Sequence, residues 1–299
     1  MEKRVKRFLP VLLILFLLEA SVLVSNAVSQ SRKTFLWKVR SETGTAYVLG
    51  SVHILRKDVY PLDRRIEEAF EKSDVLVVEA NMNDLSKIDA QKLMSRAFYT
   101  GGDTLADHLS KETHKLVEEE FSGLGMPLEL LNRQKPWFLS LTLTSLELMK
   151  LGYDPNYGID RYFLSKAEGK KRIAELESLD YQIDLLSGFS DSEQELLLRS
   201  ALKDLKVLKD EVGNLVTAWK SGNAEAIEGM LSKSLGGERG MAPVYEKLFY
   251  ERNRNMAAKI EEFLRTKETH FVVIGAGHMV GKKGIVEILR KRGYTVEQW

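Results

Sequence analysis

Two stretches far apart in the chain share one pattern: an apolar run of strand type, then Gly, two small or apolar residues, and His. Thr45 to His53 reads TAYVLGSVH, and Phe271 to His278 reads FVVIGAGH. Short β-branched, apolar runs closed by Gly read as buried strands. Gly just past a strand lets the backbone turn sharply or approach a ligand with no Cβ in the way. His53 and His278 then stand at the mouth of a sheet, beyond the carboxyl ends of its strands, where open α/β sheets bind ligands. A single histidine after a strand is ordinarily a surface or packing residue. The chain has only five histidines, so the repeat points to a shared site.

The elements around these runs give an α/β fold with a central, largely parallel sheet built from two βαβ units. Thr34 to Val39 and Thr45 to Leu49 read as a hairpin turning at Ser41-Glu42-Thr43-Gly44. Leu62, Ile66, Ala69 and Phe70 fall at helical spacing behind Pro61, and Asp74 to Val78 is the next strand. Parallel strands joined by a helix end at the same rim, which puts Glu79 and His53 on one rim. The sequence from 84 to 240 is mostly helical and reads as one large insertion. It holds an apolar helix from Pro136 to Leu151, a short strand from Arg172 to Leu176 followed by Glu177, and a long helix from Asp191 to Lys220. Gly236-Gly237 marks a break. The second unit is a helix from Tyr245 to Leu264, the second histidine strand, a helix around Ile285 to Leu289, and a strand from Tyr294 to Val296. The stripe 245, 249, 252, 256, 260 and 263 on the first of these helices is apolar or aromatic except for Arg252. A guanidinium facing a core needs a carboxylate or a ligand.

Residues 1–27 read as a secretory signal peptide: Lys3, Arg4, Lys6 and Arg7, then the apolar Phe8 to Leu18, then small residues at Ser25-Asn26-Ala27. The rival reading is an uncleaved membrane anchor, against which Glu19 interrupts the apolar run. The product is expected outside the cytoplasm, with membrane contact only through this segment. The remaining chain, 28–299, is one domain with 40 Lys+Arg against 41 Asp+Glu, and without a basic block it gives no support to nucleic-acid binding. There is no Cys, which removes thiol nucleophiles, disulfides and Cys-ligated zinc.

His53, His278 and Glu79 form a ligand set suited to a divalent metal ion with open positions, manganese, cobalt or zinc. Water on such an ion becomes a nucleophile near neutral pH. Glu79 serves as ligand or general base, Arg252 as stabiliser of the developing oxyanion, and Asp160 or Glu177 as further carboxylates from the insertion. A metal-free arrangement with His53 as base uses the same residues. HExxH spacing, a G-x-S-x-G elbow and a full dinucleotide-binding fingerprint are all absent. His108 and His114 read as solvated, and His270 as structural.

The chain resembles the TraB/GumN family, which includes Tiki-type metalloproteases and pheromone-shutdown proteins. The resemblance runs through FLWKV (35–39), YVLGSVH (47–53), SDVLVVEAN (73–81), DTLADHLS (103–110), KPW (135–137), YGID (157–160), LESLDYQIDLL (176–186) and ERNRNMAAKI (251–260). It closes with VIGAGHMVGKKGIVEILRKRGYTVE and Trp299. It implies an erythromycin-esterase/ChaN-type core and a metal-dependent hydrolase site at His53, His278 and Glu79, with Arg252 and Asn253 as motif residues. The expected activity is peptidase action on peptides or protein termini. The alternatives are a non-catalytic protein that sequesters a peptide or haem, and a metal-free esterase-like hydrolase.

Overall fold

The computed structural model describes residues 33–83, 89–235 and 240–299. The expected signal segment and the Gly236-Gly237 break lie outside the described residues. No helix among those described is long and apolar enough to cross a membrane.

Six strands form one sheet: β1 (Leu36–Arg40), β2 (Thr45–Ser51), β3 (Val75–Val78), β4 (Arg172–Glu175), β5 (Thr269–Gly275) and β6 (Thr295–Gln298), in the order β4-β3-β5-β2-β1-β6. The pairs β2–β5, β3–β5 and β3–β4 are parallel, and β1 runs antiparallel to both β2 and β6. The three central strands are apolar and buried nearly end to end, as strands covered on both faces must be. In the first βαβ unit, helix α1 (Arg64–Glu71) starts at an Asp63 side-chain cap and carries the chain from β2 to β3. These two strands are parallel but not neighbours, because β5 lies between them. In the second unit the chain leaves β5, crosses β2 and β1, and ends on the far edge as β6.

Between β3 and β5 run α2 (Ala90–Ala97), α3 (Leu105–His108), α4 (Lys111–Leu124), α5 (Pro136–Lys150), α6 (Ile159–Ala167), α7 (Leu179–Ser187), α8 (Asp191–Asp204), α9 (Leu208–Lys220), α10 (Ala224–Leu235), α11 (Ala242–Tyr245) and α12 (Arg252–Leu264). After β5 come α13 (Ala276–Met279) and α14 (Ile285–Lys291). The expected strand inside the helical stretch is β4 at the sheet edge, and α6 packs against the sheet beside it. Phe70 of α1 and Phe163 of α6 lie 5.0 Å apart, tilted by 45°, and both meet Phe271 of β5, at 5.5 and 4.7 Å. Truncating one such buried ring costs about 3–5 kcal/mol. The opposite face is covered by α12, where Phe263 stacks on the buried His270 at 4.8 Å.

Two expected helices are divided. The Asp191–Lys220 stretch breaks into α8 and α9 at 205–207, where no Gly or Pro marks the break. The Tyr245–Leu264 stretch contains a π turn at Glu246–Glu251. One extra residue in a turn shifts the phase of everything before it. The stripe read at a constant period therefore fails. Leu248 is buried where the regular stripe predicts position 249, and Arg252 and Asn253 are both buried, side by side.

Candidate functional site

The site lies at the carboxyl ends of β2, β5 and β3, three adjacent parallel strands. The register sets Ser51 beside Gly275 and Val78 beside Val273, so the loops carrying His53, His278 and Glu79 leave one rim together. These residues line a cleft of about 370 Å³, together with Asp160 and Arg252. Five of the residues expected to act at the site thus reach one place.

His53 is positioned by the start of α6. A Cβ on Gly158 would lie 2.1 Å from the His53 carbonyl oxygen, so only glycine admits this approach. The next residue, Ile159, donates its N–H to the Val52 carbonyl at 3.1 Å. This docking sets Asp160 against the imidazole: His53 Nδ1 donates to Asp160 Oδ2 at 2.7 Å, and the Ser51 hydroxyl donates to Oδ1 at 3.2 Å. The carboxylate stabilises the charged ring and pushes the His53 pKa up to about 9.

His278 sits in the short helix α13 and is buried. Its Nδ1 donates to Asn253 Oδ1 at 2.6 Å, while Asn253 Nδ2 donates to the Lys283 carbonyl at 2.8 Å. The second bond fixes the amide orientation, so the proton of a neutral His278 belongs on Nδ1 and its lone pair on Nε2. Burial, with Arg252 adding to it, pushes His278 down to about 3.

Glu79 leaves the end of β3 and is held on every side. Its Oε2 accepts the Gly275 N–H at 2.9 Å, and its Oε1 accepts Arg252 Nη2 at 2.5 Å and Gln182 Nε2 at 3.0 Å. Burial opposes its charge, but the Arg252 guanidinium, the charged His53 ring and the Gly275 N–H outweigh that and hold the carboxyl well below the usual range. Arg252 is shared with Glu177, through Nε at 3.0 Å and Nη2 at 2.7 Å, and gives Nη1 to the Leu248 carbonyl at 3.0 Å. Removing Arg252 would leave two buried carboxylates facing each other, a loss of about 3–5 kcal/mol. Its guanidinium thus meets carboxylates of the protein rather than standing free for a substrate. Glu177 repeats the strand-then-carboxylate signal of Glu79. Gln182, which bridges the two carboxylates, carries no such signal in the sequence.

Three of these groups converge on Gly275. The point where a Cβ would lie there is 3.3 Å from Glu79 Oε2, 3.3 Å from His53 Nε2 and 3.4 Å from His278 Cδ2. Such a cradle suits a small occupant, and the donor types suit a divalent ion: two imidazoles tied at Nδ1, and an ionised carboxylate. The set is not closed as it stands. His278 Nε2 is 4.0 Å from Glu79 Oε1, and no group of three or more His, Asp or Glu among the described residues is arranged to hold a metal ion.

The other histidines stand apart. His108 is not simply solvated: it is partly buried, stacked on Tyr99 at 4.1 Å, with Nδ1 3.1 Å from Asp191 Oδ2. His114 is partly buried and pairs along its own helix with Glu118 at 3.4 Å.

An uncharacterised protein of Treponema pallidum is 26% identical over 304 residues, covering 95% of this chain and 90% of that protein. The uncharacterised protein YbaP of Escherichia coli K12 is 25% identical over 248 residues, covering 82% and 87%. Metalloprotease TIKI1 of Danio rerio is 22% identical over 322 residues, covering 91% of this chain but 64% of TIKI1, so the match spans less than two thirds of that relative. No solved structure matches. The sequence profile of the TraB/PrgY/gumN family matches residues 35–298, nearly the whole described chain, and on that ground the chain belongs to the TraB/PrgY/gumN family.

Proposed function

We propose that this protein is an exported hydrolase of peptide bonds, acting on peptides or protein termini at the Gly275 cradle. The observation that carries the reading is the convergence of His53, Glu79 and His278 on one point at the polar end of a cleft. The relatives named metalloprotease support the same class of chemistry.

His53 and His278 would hold a divalent ion (manganese, cobalt or zinc), with Glu79 as ligand or base beside them. When bound, such an ion supplies Lewis-acid polarisation of a carbonyl and a water of lowered pKa. Asp160 and Asn253 orient the two rings by accepting from Nδ1. Arg252 and the Gly275 N–H keep Glu79 ionised and fixed, so that no reorganisation is needed as charge develops. Water adds to the peptide carbonyl, the C–N bond breaks, and the leaving amine takes a proton from the site.

The purified protein, stripped of metal and reloaded with manganese, cobalt or zinc, should cleave members of a peptide library scored by mass spectrometry. Cleavage that survives both His53→Ala and His278→Ala would overturn the assignment. Stoichiometric binding without product would favour a sequestering protein instead.

One observation favours a second reading. The His53–Asp160 pair, at 2.7 Å on the half-exposed lip of the cleft, has the geometry of an acid–base dyad that needs no ion. A chelator leaves that enzyme fully active and silences the first.

A further inference from the structure

The cleft has two unlike ends. Its floor carries the ionisable groups described above. Its wall is aliphatic and aromatic: Leu185 and Leu186 of α7, Leu215 of α9, Ile227 and Met230 of α10, and Phe249 of the π turn. These residues come from segments far apart in the chain, and none carries charge. The wall reaches the floor without a gap. The Phe249 ring lies 5.0 Å from the His278 ring, and its Cε1 is 3.2 Å from the point a Cβ on Gly277 would occupy. A group held in the cradle therefore has its immediate neighbour on the apolar wall.

Resting on the peptide-hydrolase reading, we infer that the substrate carries a bulky aliphatic or aromatic side chain next to the bond that is cut, seated against Leu186, Leu215, Ile227, Met230 and Phe249. The cleft's volume of about 370 Å³ leaves room for a large side chain against this wall. A charged side chain brought against these residues sheds its water and meets no partner among them, while Arg161, which also lines the cleft, is exposed. An apolar one gains by burial, and each missing methylene in such a pocket is worth roughly 10- to 200-fold in kcat/KM. The chemistry is ordinary hydrolysis: water is added, the C–N bond breaks, the acyl part leaves as a carboxylate and the amine takes up the proton.

The test uses fluorogenic peptides identical except for Leu, Phe, Ala or Asp beside the cut bond, with the metal-loaded full chain. The Leu and Phe peptides should exceed the Ala peptide in kcat/KM by about 10-fold or more, with Asp lowest. In Leu186→Arg the Leu-over-Ala ratio should fall toward one and the Asp peptide should become preferred. Met230→Arg should do the same and serves if the first variant does not fold, as judged by its melting curve. If all four peptides are cut equally, this inference fails and the hydrolase reading stands. If none is cut while acyl esters are hydrolysed faster with longer acyl chains, the peptide assignment itself falls.

Discussion

The two Gly-x-x-His corners have one pattern and opposite surroundings. The His53 side chain is 46% exposed and faces a carboxylate; the His278 side chain is 6% exposed and faces an amide. Asp160 drives the first imidazole toward the charged form, and burial drives the second toward the neutral form. A motif places a ring at a rim, while the partner on its far nitrogen decides what that ring can do. In both corners the partner comes from a different part of the chain, α6 for one and α12 for the other.

The comparison can be broken first where the corners meet. Gly275→Ala puts a methyl within 3.4 Å of both histidines and Glu79, and is expected to lower kcat/KM by about 100-fold or more while the melting temperature changes little. Next are the partners. Asn253→Ala should weaken divalent-ion affinity by about 10- to 100-fold, read by titration calorimetry, because the His278 side chain is only 6% exposed and solvent reaches it poorly to replace the amide. Asp160→Asn should cost less, near 10-fold, since half-exposed His53 can turn to solvent; equal losses would show that burial does not separate the corners.

A smaller effect concerns pH. In chelator-treated protein His53 should titrate near 9 by NMR, and fall toward its ordinary 6.5 in Asp160→Asn. His278 should stay neutral through mildly acidic pH. The raised His53 pKa means that the pair stabilises the fold fully below 6.5 and ceases to do so as pH rises through about 9. Solvent screening limits this to no more than about 1 kcal/mol, so unfolding of the two proteins should differ more at pH 6 than at pH 10.

Much of this was readable from local pattern. Apolar runs closed by Gly marked β2 and β5, and the strand–helix–strand order placed His53 and Glu79 on one rim. The carboxylate after β4 flagged Glu177. Strand order was not readable, because the position of β5 between β2 and β3 depends on pairings between distant residues and leaves no local trace. The π turn at Glu246–Glu251 was invisible for a related reason. A constant 3.6-residue period predicts one stripe, and only tertiary packing reveals the extra residue that sets Arg252 toward Glu79 and Asn253 toward His278. Gln182 went unnoticed because a polar residue on a short amphipathic helix reads as solvated surface until the two carboxylates beside it are known.

The late arrival of β5 has a consequence for biogenesis. Glu79 and Gly275 are 196 positions apart, so a ribosome adding about 5–20 residues per second needs roughly 10 to 40 s to supply the backbone N–H that Glu79 must accept. Until then β2 and β3 lack the strand that pairs with both of them. The chemistry-bearing rim cannot assemble on a nascent fragment, so a chain interrupted before its last strands would be inert as well as unstable.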